Sequence, residues 1–121
     1  MNSQQIEIYQ SPDGKNQVEV RFEDDTIWLS QQQMAELFEK DVRTINEHIK
    51  NVIHEGELKD DGATIRKFRI VRQEGQRQVR RSIEHYNLDM AISIGYRVNS
   101  KKGTQFRIWA TQRLHEYLVQ G

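Results

Sequence analysis

The sequence predicts an α+β domain, on three patterns. Apolar residues alternate through 6–29, recur at helical spacing through 34–53, and alternate again through an arginine-rich stretch at 65–85, which two further helical segments follow. At 121 residues the chain has the length of a single domain, and such a chain buries roughly two-thirds of its unfolded surface without staples.

Ile6 and Ile8, then Val18, Val20 and Phe22, alternate around the turn-former Ser11-Pro12-Asp13-Gly14, which is a hairpin signal. Asp24-Asp25 ends the second arm, and Ile27-Trp28-Leu29 offers a third short strand, so 1–29 reads as N-terminal strands. Ser30 is a natural N-cap for a helix carrying Met34, Leu37 and Phe38 and ending near Glu39. Asp41 caps a second helix, which follows Ile45, Ile49, Val52 and Ile53 to a stop at Gly56. Between 64 and 86 two arms alternate about Glu74-Gly75. A two-residue turn there sets Ile70 opposite Val79, Phe68 opposite Arg81 and Arg66 opposite Ile83, with Phe68, Ile70, Val79 and Ile83 on one face. Asn87 or Asp89 starts a short helix through Met90, Ala91, Ile92 and Ile94 that Gly95 closes or bends. The last helix, from about Lys102 to Val119, repeats Phe106, Trp109, Ala110, Arg113, Leu114, Tyr117 and Leu118 at helical spacing.

Two short helices joined by a turn of three to four residues, with small Ala35 where the second must cross closely, follow the logic of a helix-turn-helix over 30–56. Met34, Phe38, Ile45 and Ile49 hold the pair together. The chain departs from the usual turn, with Glu39 in the place of a glycine and Lys40 in the place of an apolar residue. An ordinary helical hairpin inside a core shares the pattern. If Ile45 and Ile49 face inward, Val42, Arg43, Asn46, Glu47 and Lys50 face outward. Donor and acceptor patterns in the major groove match Arg43 to guanine, Asn46 to adenine and Glu47 to the cytosine amino group. A solvated face with a Glu47–Lys50 pair is the bland alternative.

Net charge is zero, yet residues 1–63 hold 6 Lys+Arg against 14 Asp+Glu, and residues 64–121 hold 12 against 4. Such segregation gives the C-terminal half a surface suited to an anionic partner, unless the two halves neutralise one another. Between Arg66 and Arg81 the hairpin carries Arg66, Lys67, Arg69, Arg72, Arg77, Arg80 and Arg81 against one acid, Glu74. In the register above Arg69 faces Arg80 and Arg72 faces Arg77, a destabilising arrangement that a phosphate backbone relieves. A basic hairpin after a helix-turn-helix reads as the wing of a winged helix. Lys101 and Lys102 add to the phosphate-binding set. Acids in the helix pair then serve as caps or reject wrong bases, Asp41 as the second N-cap and Glu36 on the first helix.

The segments HYNLDMAISIGYRV and GTQFRIWATQRLHEYL resemble the RhuM family, virulence-associated bacterial proteins credited with DNA binding. WLSQQQMAELF and INEHIKNVIHEGEL look like its N-terminal motif, so the resemblance extends over nearly the whole chain, as an N-terminal domain of longer members. It implies a bacterial DNA-binding protein.

No enzymatic constellation is recognisable. His48, His54, His85 and His115 lack a metal-ligand spacing, cysteine is absent, no phosphate-binding glycine loop occurs, and no cofactor is expected. Tyr96 and Arg97, with Lys101 and Lys102 at the last helix N-terminus, offer a phosphate site or simply a capped turn. No apolar run is long enough for a membrane span, and a cytoplasmic protein is expected. Phe106, Trp109 and Tyr117 form a stripe whose default role is core packing and whose second reading is a homodimer seam. The combined expectation is a winged helix-turn-helix that binds double-stranded DNA as a transcriptional or mobile-element regulator. The alternatives are RNA and a protein-interaction module whose hairpin docks an acidic partner.

Overall fold

The computed structural model describes residues 5–120. In chain order the elements are β1 (Gln5–Gln10), β2 (Gln17–Glu23), β3 (Thr26–Ser30), α1 (Gln31–Phe38), α2 (Val42–His54), β4 (Ile65–Glu74), β5 (Arg77–Tyr86), α3 (Leu88–Arg97) and α4 (Lys101–Gln120). The mixed α+β class is as the patterns predict. The sheet is larger than two separate hairpins: its five antiparallel strands run β1-β2-β3-β5-β4. The hairpin β4–β5 is thus spliced onto the N-terminal strands through β3.

Alternation decides which sheet face the helices cover. Val18, Val20 and Phe22 of β2, Ile27 and Leu29 of β3, and Tyr86 of β5 join Met34, Leu37, Phe38, Ile45, Ile49, Met90, Ile94 and Phe106 of the helices in one buried core. On β1 the inward position belongs to Tyr9, which pairs with Val18, whereas Ile6 and Ile8 pair with Arg21 and Glu19 and stay exposed on the opposite face. β2 and β3 meet through Asp24 and Asp25, both left-handed at φ 51° and 66°. A two-residue turn with positive φ at both positions matches the right-handed twist of the strands, and aspartate tolerates it better than most residues.

Both helices of the pair start as their caps predict. Ser30 accepts from the Gln33 amide while Gln33 returns a side-chain bond to the Ser30 amide, and Asp41 accepts from the Arg43 amide. Between them Glu39 sits in the left-handed region at φ 55°, the position where a glycine is usual, at a backbone cost of roughly 1 kcal/mol. Its carboxylate recovers part of that cost by pairing with Lys102 at 3.0 Å.

Two expected details are corrected. The strand pairing sets Phe68 opposite Ile83, Ile70 opposite Arg81 and Arg72 opposite Val79, a slip of two residues from the expected register, with the turn at Gly75-Gln76. Gly75 has φ 63°, whereas Gln76 is not left-handed, so the glycine takes the first turn position, where a side chain is strained. A slip of two preserves parity, and Phe68, Ile70, Val79 and Ile83 do share one face. The second correction concerns Gly95, which does not close α3, since the helix runs on to Arg97.

Gly95 is instead buried where α3 crosses α4 beside Gly103, with the Phe38 ring against both. A Cβ at Gly103 would lie 3.3 Å from both Gly95 Cα and Phe38 Cε1. Gly103→Val should therefore cost roughly 1–3 kcal/mol by overpacking. Gly62→Val, in a loop with open space around the new atom, should change stability by less than about 0.5 kcal/mol. Urea unfolding of the two variants checks the contrast.

Candidate nucleic-acid interface

The outward face of α2 forms as the spacing predicts. Ile45, Ile49 and Val52 are buried, Arg43, Glu47 and Lys50 are exposed, and Val42 and Asn46 are half-buried at the edge facing α1. Glu47 and Lys50 form no ion pair with each other or with any described residue. Asn46 is not free: its Oδ1 accepts from Gln31 Nε2 at 3.0 Å.

The hairpin is anchored at its base and projects at its tip. β3 touches it through two residue pairs, Leu29 with Tyr86 and Ser30 with His85. On the face away from the helices, Trp28 lies 5.8 Å from the Phe68 ring and Phe68 5.1 Å from His85, centroid to centroid. Arg66 lies over Trp28 at 4.5 Å and Arg21 over Phe68 at 4.6 Å. Beyond this stack, residues 71–78 are all exposed.

The seven hairpin cations divide into two groups. Arg66 is held by Asp24 at 2.5 Å and Glu23 at 3.4 Å, and Arg81 by Glu74 through two bonds of 2.9 and 3.1 Å. Lys67, Arg69, Arg72, Arg77 and Arg80 form no ion pair with any described residue and, like Arg81, are exposed. The direct arginine pairs expected across the strands do not occur, because Arg69 faces Ser82, Arg80 faces Val71, Arg72 faces Val79 and Arg77 faces Glu74. Arg69 with Arg80, and Arg72 with Arg77, are diagonal neighbours, a spacing of roughly 7–8 Å at which repulsion is weaker. Lys67, Arg69 and Arg80 share the face of Tyr86, the side on which the helices pack.

The α4 start is spent on the fold. Lys102 Nζ reaches Asn16 Oδ1 at 2.6 Å, Glu39 at 3.0 Å and Asp13 at 3.1 Å, and these partners raise its pKa, Glu39 foremost. Asp13 is held well below the usual carboxylate range, chiefly by the Ser11 hydroxyl. Arg97 pairs with Glu55 at 2.7 Å and Glu57 at 2.9 Å. Neither cation therefore faces the cleft of about 150 Å³ between α3 and α4, which Tyr96, Asn99, Ser100, Gly103 and Arg107 line. Lys101 is exposed. Phe106, Trp109 and Tyr117 pack on Tyr9 and Phe22 within 5.0–6.4 Å, so the stripe packs against the core. Among the described residues no group of His, Asp and Glu is placed to hold a metal ion, and no helix is long and apolar enough to cross a membrane.

A second cleft, about 370 Å³, lies between the helix pair and the hairpin, bounded by Gln31, Val42, Arg72, Ser82, Glu84 and Tyr86. Sequence reasoning missed Gln31, Glu84 and Tyr86, which come together only through the β3–β5 pairing.

The hairpin that forms one wall of this cleft lies in the part of the chain that a known family shares. Residues 63–121 match the Virulence protein RhuM family. The RhuM match takes in the hairpin, α3 and α4 and leaves out the helix pair, so its placement is C-terminal, where the sequence resemblance pointed to an N-terminal domain spread over nearly the whole chain. No curated protein and no solved structure matches the chain.

Within the RhuM segment His85 reports on the anchored base. It is buried, with Nδ1 2.9 Å from the Ile83 carbonyl oxygen, and burial pushes its pKa down, with Arg21 adding to the effect. The folded state then holds His85 neutral while the unfolded chain binds a proton below about pH 6.5. Stability should fall as pH drops from 7 towards 5, and His85→Phe should flatten that part of the curve. Urea midpoints across this range check it.

Proposed function

We propose that the chain binds double-stranded DNA, with the exposed face of α2 in the major groove and the hairpin along the phosphates, as a transcriptional or mobile-element regulator. One observation carries this reading: β3 ends in the N-cap of α1 and pairs with the base of β5, so one strand aims the helix pair and a hairpin bearing five unpaired cations. A winged helix needs that coupling, with a reading helix and a phosphate-tracking hairpin on a shared frame. The acids of the helix pair fit the same reading. Asp41 caps α2, Glu39 is neutralised by Lys102, and the attraction comes from the hairpin.

The segment that matches the RhuM family contains every hairpin cation. Exposed guanidinium groups spaced along a hairpin suit a polyanion, because each phosphate neutralised releases a counterion.

Fluorescence anisotropy of a labelled random duplex, titrated across salt, tests the proposal. With Lys67, Arg69, Arg72, Arg77 and Arg80 each meeting a phosphate, log affinity falls against log salt with a slope near −4.5, at about −0.9 per contact. No binding at roughly 50 mM salt overturns it and points to an acidic protein partner. Arg69→Ala should weaken every duplex alike and flatten the slope by about 1, whereas Arg43→Ala should weaken a cognate site more than random duplex.

A further inference from the structure

The position of Asn46 is fixed by a chain of hydrogen bonds with a definite direction. Gln31 Nε2 donates to Asn46 Oδ1 and to the Tyr86 hydroxyl oxygen, both at 3.0 Å, and the Tyr86 hydroxyl donates to Glu84 Oε1 at 3.3 Å. Without Glu84 the chain would read equally well in reverse, with the Gln31 and Asn46 amides flipped and Tyr86 donating to Gln31. A carboxylate has no proton to give, so the Tyr86 O–H must point to Glu84 and its oxygen must accept from Gln31. The nitrogen of Gln31 then faces Asn46, and Asn46 must offer its oxygen. Tyr86 is buried beneath this chain at 2 % exposure, so its ring is a fixed post and the direction is built into the fold. Asn46 Nδ2 has no hydrogen-bond partner among the described residues. It is the atom left for a ligand.

Resting on the DNA reading above, we propose that Glu84, through Tyr86 and Gln31, locks Asn46 as a hydrogen-bond donor, so that α2 rejects cytosine, the one base with no major-groove acceptor, at the position Asn46 meets. Guanine O6 and N7, thymine O4 and adenine N7 accept, whereas cytosine offers the major groove only its amino donor. The adenine contact that an unrestrained asparagine makes needs Oδ1 turned to the base as well as Nδ2, and Oδ1 is turned to Gln31. Asn46 is the contacting residue, and Gln31, Tyr86 and Glu84 are positioning residues. Val42 stands one helical turn before Asn46 on the same edge of α2 and lines the cleft next to the relay, placing an apolar contact beside the donor.

Selection of bound duplexes from a randomised pool, sequenced for wild type and for Asn46→Asp, Glu84→Gln and Gln31→Ala, tests the assignment. Wild type should enrich a site with one position at which C is disfavoured against G, T and A by about tenfold. Asn46→Asp, acceptor-only and nearly isosteric, should reverse the preference at that position alone. Glu84→Gln, an exposed change that leaves the fold intact, should level it towards parity by allowing the reversed chain, and Gln31→Ala should do the same. A site in which the position sensitive to Asn46→Asp is cytosine in wild type, or in which Glu84→Gln and Gln31→Ala leave the preference unchanged, overturns the relay while leaving DNA binding intact. A pool with no enriched sequence and no salt-dependent retention overturns the DNA reading itself, and the relay's role in base recognition with it.

Discussion

The architecture depends on the short pairing of β3 with β5. Two residue pairs, Leu29 with Tyr86 and Ser30 with His85, each more than fifty positions apart in sequence, join an N-terminal three-stranded meander to the hairpin. Each partner does a second task. Leu29 and Tyr86 enter the core, Ser30 caps α1, and His85 completes the stack of Trp28 and Phe68 on the other face. Because so few backbone bonds join the two halves, side chains reinforce the seam from both sides. The Arg66 guanidinium, lying on Trp28 and paired with Glu23 and Asp24, is the clearest example, since it binds the C-terminal strand to the acidic half.

That seam also explains how a chain of zero net charge presents a basic element. Part of the charge separation along the sequence is cancelled where the halves meet, by Arg66 with Asp24, Lys102 with Asp13 and Glu39, and Arg97 with Glu55 and Glu57. On the hairpin, Lys67, Arg69, Arg72, Arg77 and Arg80 are left without an ion pair among the described residues. Exposed ion pairs of this kind contribute little to stability one by one. Their larger effect is to settle which cations are available to a partner.

Much of the fold was legible in the sequence because its signals are local. Ser30, Asp41 and Asn87 cap the helices that their positions announce, and the inward set Ile45, Ile49 and Val52 fixed the outward face of α2. The hairpin register was legible only to within a parity class, since a slip of two residues leaves every side chain on its face. The turn glycine decided it, and with it went the supposed opposition of arginines. Gly95 was misread because a glycine that ends a helix and one that admits a crossing helix look alike in a single strand of sequence. The Gln31–Tyr86–Glu84 relay was illegible, because its members are brought together by strand pairing alone and carry no spacing signature.

Amide and arginine side-chain chemical shifts in the nitrogen-15 NMR spectrum, followed as a random duplex is added, test the central claim most directly: that one frame presents α2 and the hairpin tip to the same polyanion. The account predicts shifts concentrated on residues 42–50 and 67–80, moving together along one titration curve, with the β1–β2 turn and the α3–α4 corner unmoved. Shifts confined to that corner, or movement of the hairpin without α2, would contradict it.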